Sequence, residues 1–472
     1  MLTVIWHRRD LRLDDHPAID YAQQIGGQII GVFIFDPAIL KQPSDQLTTG
    51  GGQVEFMLGC LAELQAEYQR LGSNLYFFYG NPVERLTHIA LTLKPDHLCF
   101  CEDVEPFAIR RDREARLALQ RLGVKVHSFI DLGLHDPQAI RTSTGEPYKV
   151  YTPFWRNWRK LEKPRPFPPP RALAGIVPPL ELEHIPLPRV SELGFSHQQS
   201  IPKAGSAQGV RLLQQFTESQ ALLRYQENRN YPAIAGTSQL SPHLRFGTIG
   251  IRTVWSATVK AEEMVRSQEE QQSIETWRQE LAWREFYQHV LFFFPELETS
   301  AYRPEMQKFP WSDRYDYFEA WCAGRTGYPI VDAAMRQLNA TGWMHNRCRM
   351  IVASFLTKDL LINWQWGERY FMQKLVDADL SANNGGWQWS ASSGMDPKPL
   401  RIFNPASQAS KFDPEAVYIR QWLPELSRLP TADLLSGEIS PLDRQRCDYP
   451  PPIVDHKRQQ QIFKTEYAKC RS

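Results

Sequence analysis

Residues 377–389 carry the most unusual combination of side chains in the sequence. Two Asp, two Asn, two Gly and two Trp fall within these thirteen positions. Closely spaced carboxylates and amides offer hydrogen-bonding groups, and adjacent glycines let a ligand approach the backbone. The pattern indicates a site for a ligand rich in imide and hydroxyl groups. A purely structural loop is the alternative.

A second candidate lies on a predicted helix covering residues 276–289. Its spacing places Glu280, Trp283, Arg284 and Tyr287 along one side. A carboxylate beside a tryptophan on one face favours a binding or reaction site. The alternative is an ordinary amphipathic helix on which Glu280 and Arg284 form a surface ion pair.

A third candidate is a basic and aromatic cluster on a helix predicted from Met335 to Lys358. Asn346, Arg349 and Met350 share one side of that helix. The cluster consists of Arg336, Trp343, His345, Arg347, Arg349 and Lys358. Such local clustering is what a nucleic-acid surface needs, and the formal net charge of only +1 conceals it. A solvated basic face is the alternative.

A polar run from Gly236 to Pro242 precedes another predicted helix. Its hydroxyls and backbone N–H groups could hold a phosphate without Lys or metal. The same residues also fit a turn with a helix N-cap.

The N-terminal segment, residues 1–135, contains the elements of an α/β domain. Five short apolar runs read as buried parallel strands, with helical patterns between them such as Gln53 to Leu71. The strands are predicted at Leu2 to Trp6, Gln28 to Phe35, Leu75 to Tyr79, His97 to Cys101 and Val124 to Phe129. This order predicts a doubly wound, five-stranded parallel sheet. The glycine patterns of dinucleotide-binding and P-loop proteins are absent from the sequence.

The remaining chain divides into two further predicted segments. Residues 136–205 are rich in proline, which predicts a long interdomain linker. Residues 206–472 show helical periodicity, which predicts an all-α domain.

Composition excludes several classes of protein. The chain has 472 residues, 54 basic and 53 acidic, and 42% hydrophobic residues, which excludes disordered and collagen-like chains. The sequence has neither a long apolar stretch nor a signal-like start, so we expect a protein that neither spans a membrane nor is secreted. The seven cysteines are scattered without a C-x-x-C pair, which argues against a disulfide framework or a zinc site and fits a reducing cytosol.

Together, these motifs resemble the photolyase and cryptochrome family of flavoproteins, and within it the class I cyclobutane pyrimidine dimer photolyases of the cyanobacterial type. The resemblance covers essentially the whole chain. It rests on residues 6–12, 236–238, 280–286, 327–332, 343–350 and 377–394. It implies an antenna-binding α/β domain over residues 1–135, and a helical domain over residues 206–472 that binds FAD and DNA.

The resemblance also implies the FAD contacts. Asp377 and Asp379 would meet the flavin, Arg349 would be the charge partner of Asp377, and Asn383 would face the flavin N5 and favour the reduced, anionic flavin. The remaining contacts would be Tyr225, Thr237, Ser238, Gln239, Leu240, Ser241 and Ala378.

The implied reaction is light-driven electron transfer from reduced FAD to a cyclobutane pyrimidine dimer that has been flipped out of UV-damaged DNA. After the dimer splits, the electron returns to the flavin, and no metal is required. The dimer pocket would contain Glu280, Asn346 and Met350, with Trp283 and Trp389 as its walls. The other DNA contacts would be Arg229, Tyr287, Arg347, Gln408 and Lys411, and the tryptophans that relay electrons to the flavin would be Trp387, Trp364 and Trp311.

Three features favour dimer repair over the other activities in the family. Asn346 and Met350 stand where (6-4) photolyases carry histidines. Asn383 is of the repair type, and the chain lacks a long polar tail after the helical domain. The alternatives are a cryptochrome-type blue-light receptor without repair and a non-catalytic nucleic-acid-binding module.

The resemblance further implies an antenna chromophore in the α/β domain, 8-hydroxy-5-deazaflavin or alternatively methenyltetrahydrofolate. Its contacts by position would be Phe35, Asp36, Asp103, Glu105 and Arg245. Asp103 and Glu105 could instead be solvated loop acids. A monomer is expected, located in the cytoplasm and associated with the nucleoid through DNA.

Overall fold

The computed structural model describes residues 1–41, 49–396 and 400–471, and packing divides the chain into two compact units. The first unit comprises Met1–His197, Pro202–Leu223 and Ser238–Pro295. The second comprises Gln198–Ile201, Arg224–Thr237 and Glu296–Ser472. These units reflect packing alone, so the functional boundaries at residues 135 and 205 stay a prediction.

The first unit contains a five-stranded, fully parallel sheet. Its strands are β1 (Leu2–His7), β2 (Gln28–Phe35), β3 (Leu75–Tyr79), β4 (His97–Cys101) and β5 (Lys125–Phe129), in the spatial order β3-β2-β1-β4-β5. The order reverses at β1, as in doubly wound sheets. All five predicted strands are confirmed, with ends that differ by at most one residue.

Helices connect the strands and continue beyond the sheet. Val54, Leu61 and Leu64 are buried on the helix Gly51–Arg70, as its apolar spacing predicts. The helices of this unit are Pro17–Ile25, Pro37–Leu40, Gly51–Arg70, Pro82–Leu93, Pro106–Arg121, Tyr151–Trp158, Ser206–Thr217, Gln220–Leu223, Ser241–Phe246, Ile251–Glu262 and Gln268–Phe293. Three 3₁₀ turns lie at Pro137–Ala139, Leu180–Leu182 and Val190–Leu193. The proline-rich stretch 136–205 is therefore irregular as predicted, except for these turns and the helix Tyr151–Trp158.

Four buried charges link distant segments of the first unit. The guanidinium groups of Arg12 and Arg252 both donate to Asp131 Oδ1, at 2.6 and 2.5 Å, and Arg252 Nε donates to Asp15 Oδ1 at 2.6 Å. All four side chains are at most 3% exposed. Burial alone would raise the pKa of Asp131, but the two guanidinium groups hold it well below its ordinary value.

The regular elements in the described part of the second unit are helices. They are Tyr225–Asn228, Tyr315–Ala323, Pro329–Thr341, Asn346–Ser354, Trp364–Lys374, Leu380–Ser390, Pro405–Phe412, Val417–Trp422, Thr431–Ser436, Pro441–Arg446 and His456–Arg471. A π-helical turn lies at Phe355–Asp359, and 3₁₀ turns occur at Pro304–Lys308 and Pro424–Leu426, with another at the junction Pro295–Glu298. The predicted combination of a doubly wound α/β domain with a helical domain is confirmed.

The prediction of one continuous helix from Met335 to Lys358 is wrong. The chain forms Pro329–Thr341, breaks, and resumes as Asn346–Ser354. Gly342 ends the first helix with φ of +67°, a left-handed conformation that favours glycine, and the His345 side chain caps the second by accepting from the Arg347 N–H at 3.1 Å. Apolar periodicity runs through both helices because both pack into the same core, so it conceals the break.

Candidate functional site

The second unit contains an ion pair between Arg349 and Asp377. Arg349 Nη2 donates to Asp377 Oδ2 at 2.7 Å, and Arg349 Nε donates to the Met344 carbonyl at 2.9 Å. The Asp377 side chain is 2% exposed, and its Oδ1 finds no hydrogen-bond partner among the described atoms. A buried carboxylate oxygen without a donor is costly, so the geometry favours a ligand that supplies N–H or O–H groups here.

Asp379 begins the helix Leu380–Ser390. Its carboxylate accepts from the Ala382 N–H at 3.1 Å and from the Ser381 hydroxyl at 2.5 Å. N-capping stabilises this helix and fixes the orientation of its first turns. Asp379 thus has a local structural role in addition to the ligand contact predicted for it.

Asn383 and Gly386 lie one turn apart on that helix. Asn383 Nδ2 donates to the Glu368 carbonyl at 3.0 Å, which fixes the orientation of the amide. Apart from its own stretch of helix, a Cβ built on Gly386 would meet no described atom within 4 Å. This face of the helix therefore borders open space in which a flat ligand could lie against the backbone.

Glu368 lies behind this face and was not singled out by sequence reasoning. Asn384 Nδ2 donates to Glu368 Oε1 at 2.9 Å, and Gln388 Nε2 donates to Asn384 Oδ1 at 2.9 Å. Burial raises the pKa of Glu368 to about 8, against the opposing effect of the Asn384 hydrogen bond. An acid held neutral near physiological pH adjoins the segment that carries Asn383.

The Glu368→Gln variant should change how stability depends on pH. Between the ordinary pKa of 4.5 and the folded value of about 8, the folded protein holds a proton that the unfolded chain releases. Wild-type stability therefore falls as pH rises through this window, by up to about 1.4 kcal/mol per pH unit, and the glutamine variant should lack this contribution. Urea unfolding of both proteins at pH 6 and pH 8.5 measures the difference, and equal pH slopes would contradict the assignment.

Asn346 and Met350 occupy one side of the helix Asn346–Ser354, as predicted. Asn346 Nδ2 lies 3.9 Å from Met350 Sδ, and Asn346 is exposed. The structure thus brings these two side chains together at a surface that a ligand can reach.

Basic side chains of the second unit cluster around Phe412. The Arg347 guanidinium lies 4.2 Å from the centre of the Phe412 ring, and the Lys411 ammonium lies 5.4 Å from it. Arg347 Nη2 also donates to Asn230 Oδ1 at 2.6 Å. Gln408 lies one turn before Phe412 on the same helix, and its Oε1 is buried with no hydrogen-bond partner among the described residues. The Arg229 guanidinium lies 5.8 Å from the Tyr225 ring, which is itself buried.

The helix Gln268–Phe293 of the first unit carries Glu280, Trp283 and Tyr287. Trp283 stacks on Tyr151 with a centroid distance of 3.6 Å and an interplanar angle of 8°, and Tyr287 packs 5.6 Å from Trp283. The Tyr151 hydroxyl donates to the Gln279 carbonyl at 2.8 Å. No motif singled out from the sequence includes Tyr151. Its position in the aromatic-rich segment Tyr151–Trp158 is the signal that could have identified it.

Arg284 donates to the carbonyls of Leu132 and Leu244, so it has a structural role beyond any pair with Glu280.

The predicted phosphate-binding run divides between the two units at Thr237. The helix predicted after it begins at Ser241, with Leu240 buried in front of it. Gln239 has φ of +53°, which is uncommon for a residue with a side chain and typical of tightly constrained turns. Thr237 belongs to the second unit, whereas Ser238 to Ser241 belong to the first.

The predicted relay tryptophans lie in the second unit. Trp387 and Trp364 are buried, and Trp311 is half-buried against Phe309 with a centroid distance of 4.4 Å. A Cβ at Gly367 would lie 2.1 Å from the Trp387 ring, so the helix Trp364–Lys374 packs its backbone directly on Trp387. Trp389 is half-buried, with the Arg401 guanidinium 5.3 Å from the centre of its ring.

The predicted antenna residues lie at the carboxyl ends of β2 and β4, except Arg245, which lies on the helix Ser241–Phe246. Phe35 is buried, and Asp36 caps the next helix by accepting from the Ala38 N–H at 2.9 Å. Arg9 Nη1 donates to Asp103 at 3.3 Å and to Glu105 at 2.7 Å, and Arg9 Nε donates to the Arg245 carbonyl at 3.3 Å. The alternative of solvated loop acids is therefore wrong for Asp103 and Glu105, which are only 10% and 20% exposed.

A buried group of His7, Asp10 and His16 has the composition of a metal site, with ligand atoms within 4.8 Å of one another. His16 Nε2 lies 3.0 Å from Asp10 Oδ2, its Nδ1 accepts from the Ile19 N–H at 3.4 Å, and His7 Nε2 lies 2.7 Å from the Tyr68 hydroxyl. These hydrogen bonds account for the group without a metal.

Among the described residues, no helix has the length and apolar character needed to cross a bilayer.

Comparison with known proteins covers nearly the whole chain. Residues 3–171 match the family model described as DNA photolyase, and residues 277–469 match the FAD binding domain of DNA photolyase. A relative from Synechococcus sp. named deoxyribodipyrimidine photo-lyase is 49% identical, spanning 99% of this chain and 97% of the relative. A relative of the same name from Halobacterium salinarum is 41% identical, spanning 100% of this chain and 99% of the relative.

Solved structures show the same architecture. A photolyase from Sulfolobus tokodaii, described as having two FAD molecules with the implication of a novel light-harvesting cofactor, aligns with a TM-score of 0.85 at 33% identity, over 99% of this chain and 100% of that one. A cryptochrome from Synechocystis sp. aligns with a TM-score of 0.90 at 29% identity, over 98% of this chain and 99% of that one. Since relatives well above 30% identity match this chain from end to end, the protein belongs to the photolyase and cryptochrome family.

Proposed function

We propose that this protein is a deoxyribodipyrimidine photo-lyase, which uses blue light to split cyclobutane pyrimidine dimers in UV-damaged DNA. The observation that carries the proposal is the face of the helix Leu380–Ser390 where Asn383 holds an oriented neutral amide and Gly386 leaves open space, together with the buried Arg349–Asp377 pair of the same unit. The name of the relative at 49% identity supports the same activity.

The residues of the second unit fit FAD. The unpartnered Asp377 Oδ1 can accept from an N–H or hydroxyl of the cofactor, while the hydrogen bond from Arg349 holds that carboxylate in place. Gly386 leaves room for a ring system against the helix, and Asn383 presents its amide there. When bound in its reduced form and excited by blue light, FAD supplies the electron that opens the dimer. The proposed set also includes Tyr225, Thr237, Ala378 and Asp379 of the second unit and Ser238, Gln239, Leu240 and Ser241 of the first.

The DNA contacts divide into anchors and a lesion pocket. Arg347, Arg229 and Lys411, with Gln408, offer positive charge and hydrogen bonds to the phosphate backbone, which positions DNA without reading its sequence. Asn346 and Met350 present an amide and a thioether together, suited to the polar edge and apolar ring of a pyrimidine. Glu280 offers a carboxylate, and Trp283, Trp389 and Tyr287 offer aromatic surface for the flipped-out bases.

We also propose that the first unit binds a light-harvesting antenna, 8-hydroxy-5-deazaflavin, with methenyltetrahydrofolate as the alternative. Phe35 is the last residue of β2 and Asp36 follows it, whereas Asp103 and Glu105 follow β4 and hold Arg9 close to Arg245. Loops at the carboxyl ends of strands are where ligands bind doubly wound sheets. The absorption spectrum of the chromophore extracted from the purified protein identifies the antenna.

That the protein is a monomer in the cytoplasm, associated with the nucleoid through DNA, remains a prediction.

A blue-light receptor without repair is the second candidate function. The alignment with the Synechocystis cryptochrome favours it, because the fold alone is shared by both activities. Asn383, Asn346 and Met350 together favour repair.

One experiment separates the two functions. Chemically reduced protein is mixed with an oligonucleotide carrying one thymine dimer, under blue light and in the dark, and its absorption spectrum is recorded. Light-dependent restoration with flavin bands supports the photolyase. Flavin bands without restoration contradict the proposal and favour the receptor, and a colourless protein contradicts both.

The Glu280→Ala variant should repair dimers about tenfold more slowly while retaining FAD, because one hydrogen-bonding carboxylate is lost from the lesion pocket. Repair rate and FAD content are measured on the same preparation. Glu275→Ala, on the same helix but paired with the exposed Arg159, is the control and should repair like wild type. Loss of FAD from Glu280→Ala would contradict the assignment of Glu280 to the lesion.

A further inference from the structure

A second chain of aromatic rings leaves Trp387 in the second unit. Trp321 lies 6.0 Å from Trp387 between ring centroids, Phe318 stacks 5.9 Å from Trp321, and Trp366 lies 5.3 Å from Phe318. The chain ends at Tyr315, whose ring is 6.2 Å from Trp366. Tyr315, Phe318 and Trp321 lie at three-residue spacing on one face of the helix Tyr315–Ala323, and Trp366 lies on the helix Trp364–Lys374.

The inner members of this chain cannot release a proton easily. Trp321 is fully buried, and its indole N–H donates to the Val352 carbonyl at 3.1 Å, which is a poor base. Trp387 is also buried, and its indole N–H has no hydrogen-bond partner among the described atoms. An oxidised Trp387 or Trp321 would keep its positive charge in an apolar core, which is unfavourable. The charge is therefore driven towards water.

The outer members of the chain, Trp366 and Tyr315, are in contact with solvent. Trp366 is half-buried, and Tyr315 is 59% exposed. Solvent stabilises a positive charge on Trp366 and accepts the phenolic proton when Tyr315 is oxidised. Phe318 is harder to oxidise than an indole, so it would serve as a bridge between Trp321 and Trp366 rather than as a stopping point.

We propose that Tyr315, Trp366 and Trp321 form a second route that supplies electrons to Trp387, in addition to the predicted relay through Trp364 and Trp311. The inference rests on the proposed function, because the electron acceptor is the photoexcited, oxidised FAD. One electron passes from Tyr315 through Trp366, Trp321 and Trp387 to that acceptor, and the Tyr315 phenolic proton goes to water. A thiol then returns one electron and one proton to Tyr315, and two thiols oxidised in this way combine as a disulfide.

Photoreduction of the FAD-loaded protein with dithiothreitol under blue light tests the route. Trp364→Phe blocks the predicted relay and should slow photoreduction about tenfold without abolishing it. Adding Trp366→Phe should slow photoreduction at least about tenfold more. Trp364→Phe combined with Trp422→Phe is the matched control, since Trp422 packs at the same core, and it should behave like Trp364→Phe alone. Equal rates in the Trp364→Phe/Trp366→Phe and control proteins, or complete loss in Trp364→Phe alone, would overturn the route.

A second readout does not depend on photoreduction rates or on repair. Blue-light illumination of Trp364→Phe with a nitroso spin trap, followed by peptide mass mapping, should place an adduct on Tyr315. Adding Tyr315→Phe, a change at an exposed side chain, should remove the adduct while the FAD content stays unchanged. Absence of the Tyr315 adduct would overturn the proposal. Failure of the proposed function is distinguished because it would appear as missing flavin absorption, or as no dimer repair by chemically reduced wild-type protein.

Discussion

The Asp377→Ala variant should be purified almost without FAD. Asp377 is the buried partner of Arg349, and its second oxygen awaits a donor that the proposed cofactor would supply. Removing the carboxylate would delete the hydrogen bond proposed between Asp377 and the cofactor, and it leaves Arg349 without its counter-charge. Together these losses amount to about 3–4 kcal/mol, which weakens FAD binding roughly 10²–10³-fold.

Absorbance near 450 nm relative to 280 nm measures the FAD content, and circular dichroism reports folding. Asp377→Asn is the companion variant, because it keeps the shape of the side chain and loses only the charge, and it should retain an intermediate amount of FAD. Asp359→Asn is a matched control, since Asp359 is equally buried in the same unit but binds His456. Asp377→Ala protein with a full complement of FAD would contradict the assignment.

The Asp131→Ala variant should be strongly destabilised. Asp131 accepts from both Arg12 and Arg252, and all three side chains are buried. Breaking such a pair leaves guanidinium charge uncompensated in the interior, which costs about 3–5 kcal/mol. Because the pKa of Asp131 lies well below the ordinary 3.8, its stabilising contribution is present above that pH and is lost as pH falls further.

Urea unfolding at pH 7 measures the effect. Asp316→Ala is the control, because the Asp316–Arg314 pair lies on the surface with both side chains more than half exposed. That change should cost less than about 1 kcal/mol. A similar loss in both variants would show that the Asp131 network contributes no more than a surface pair.

Regular elements followed closely from the sequence where one local rule dominated. Strands β1 to β4 are short runs of mostly apolar, mostly buried residues, so their limits were predicted within one residue. Strand β5 is more polar and only partly buried, yet its limits were also predicted within one residue. The break at Gly342 was missed because the same apolar periodicity continues on both sides of it. The capping roles of His345 and Asp379 depend on backbone angles at single positions, and periodicity does not report such angles.

Parts of the candidate site depend on contacts that no local pattern contains. The run that includes Asp377 and Asn383 was recognisable by composition, yet the unpartnered Asp377 oxygen and the space beside Gly386 exist only in three dimensions. Tyr151 meets Trp283 although the two lie far apart in the sequence. The acidity of Glu368 depends on burial, which a single glutamate in a helical pattern does not reveal.

The charge network of the first unit also sets an order of events during synthesis. Arg12, Asp15 and Asp131 leave the ribosome well before Arg252, which follows Asp131 by 121 residues. At a translation rate of about 5–20 residues per second, the early segment waits roughly 6–24 s for its missing counter-charge. In a nascent chain halted before Arg252, Arg12 would be present to pair with Asp131, but the guanidinium group that binds both Asp15 and Asp131 would be missing. We therefore expect protease to digest the sheet readily in ribosome-bound chains that stop before Arg252. Chains long enough to hold Arg252 outside the ribosome should resist digestion from β1 to β5.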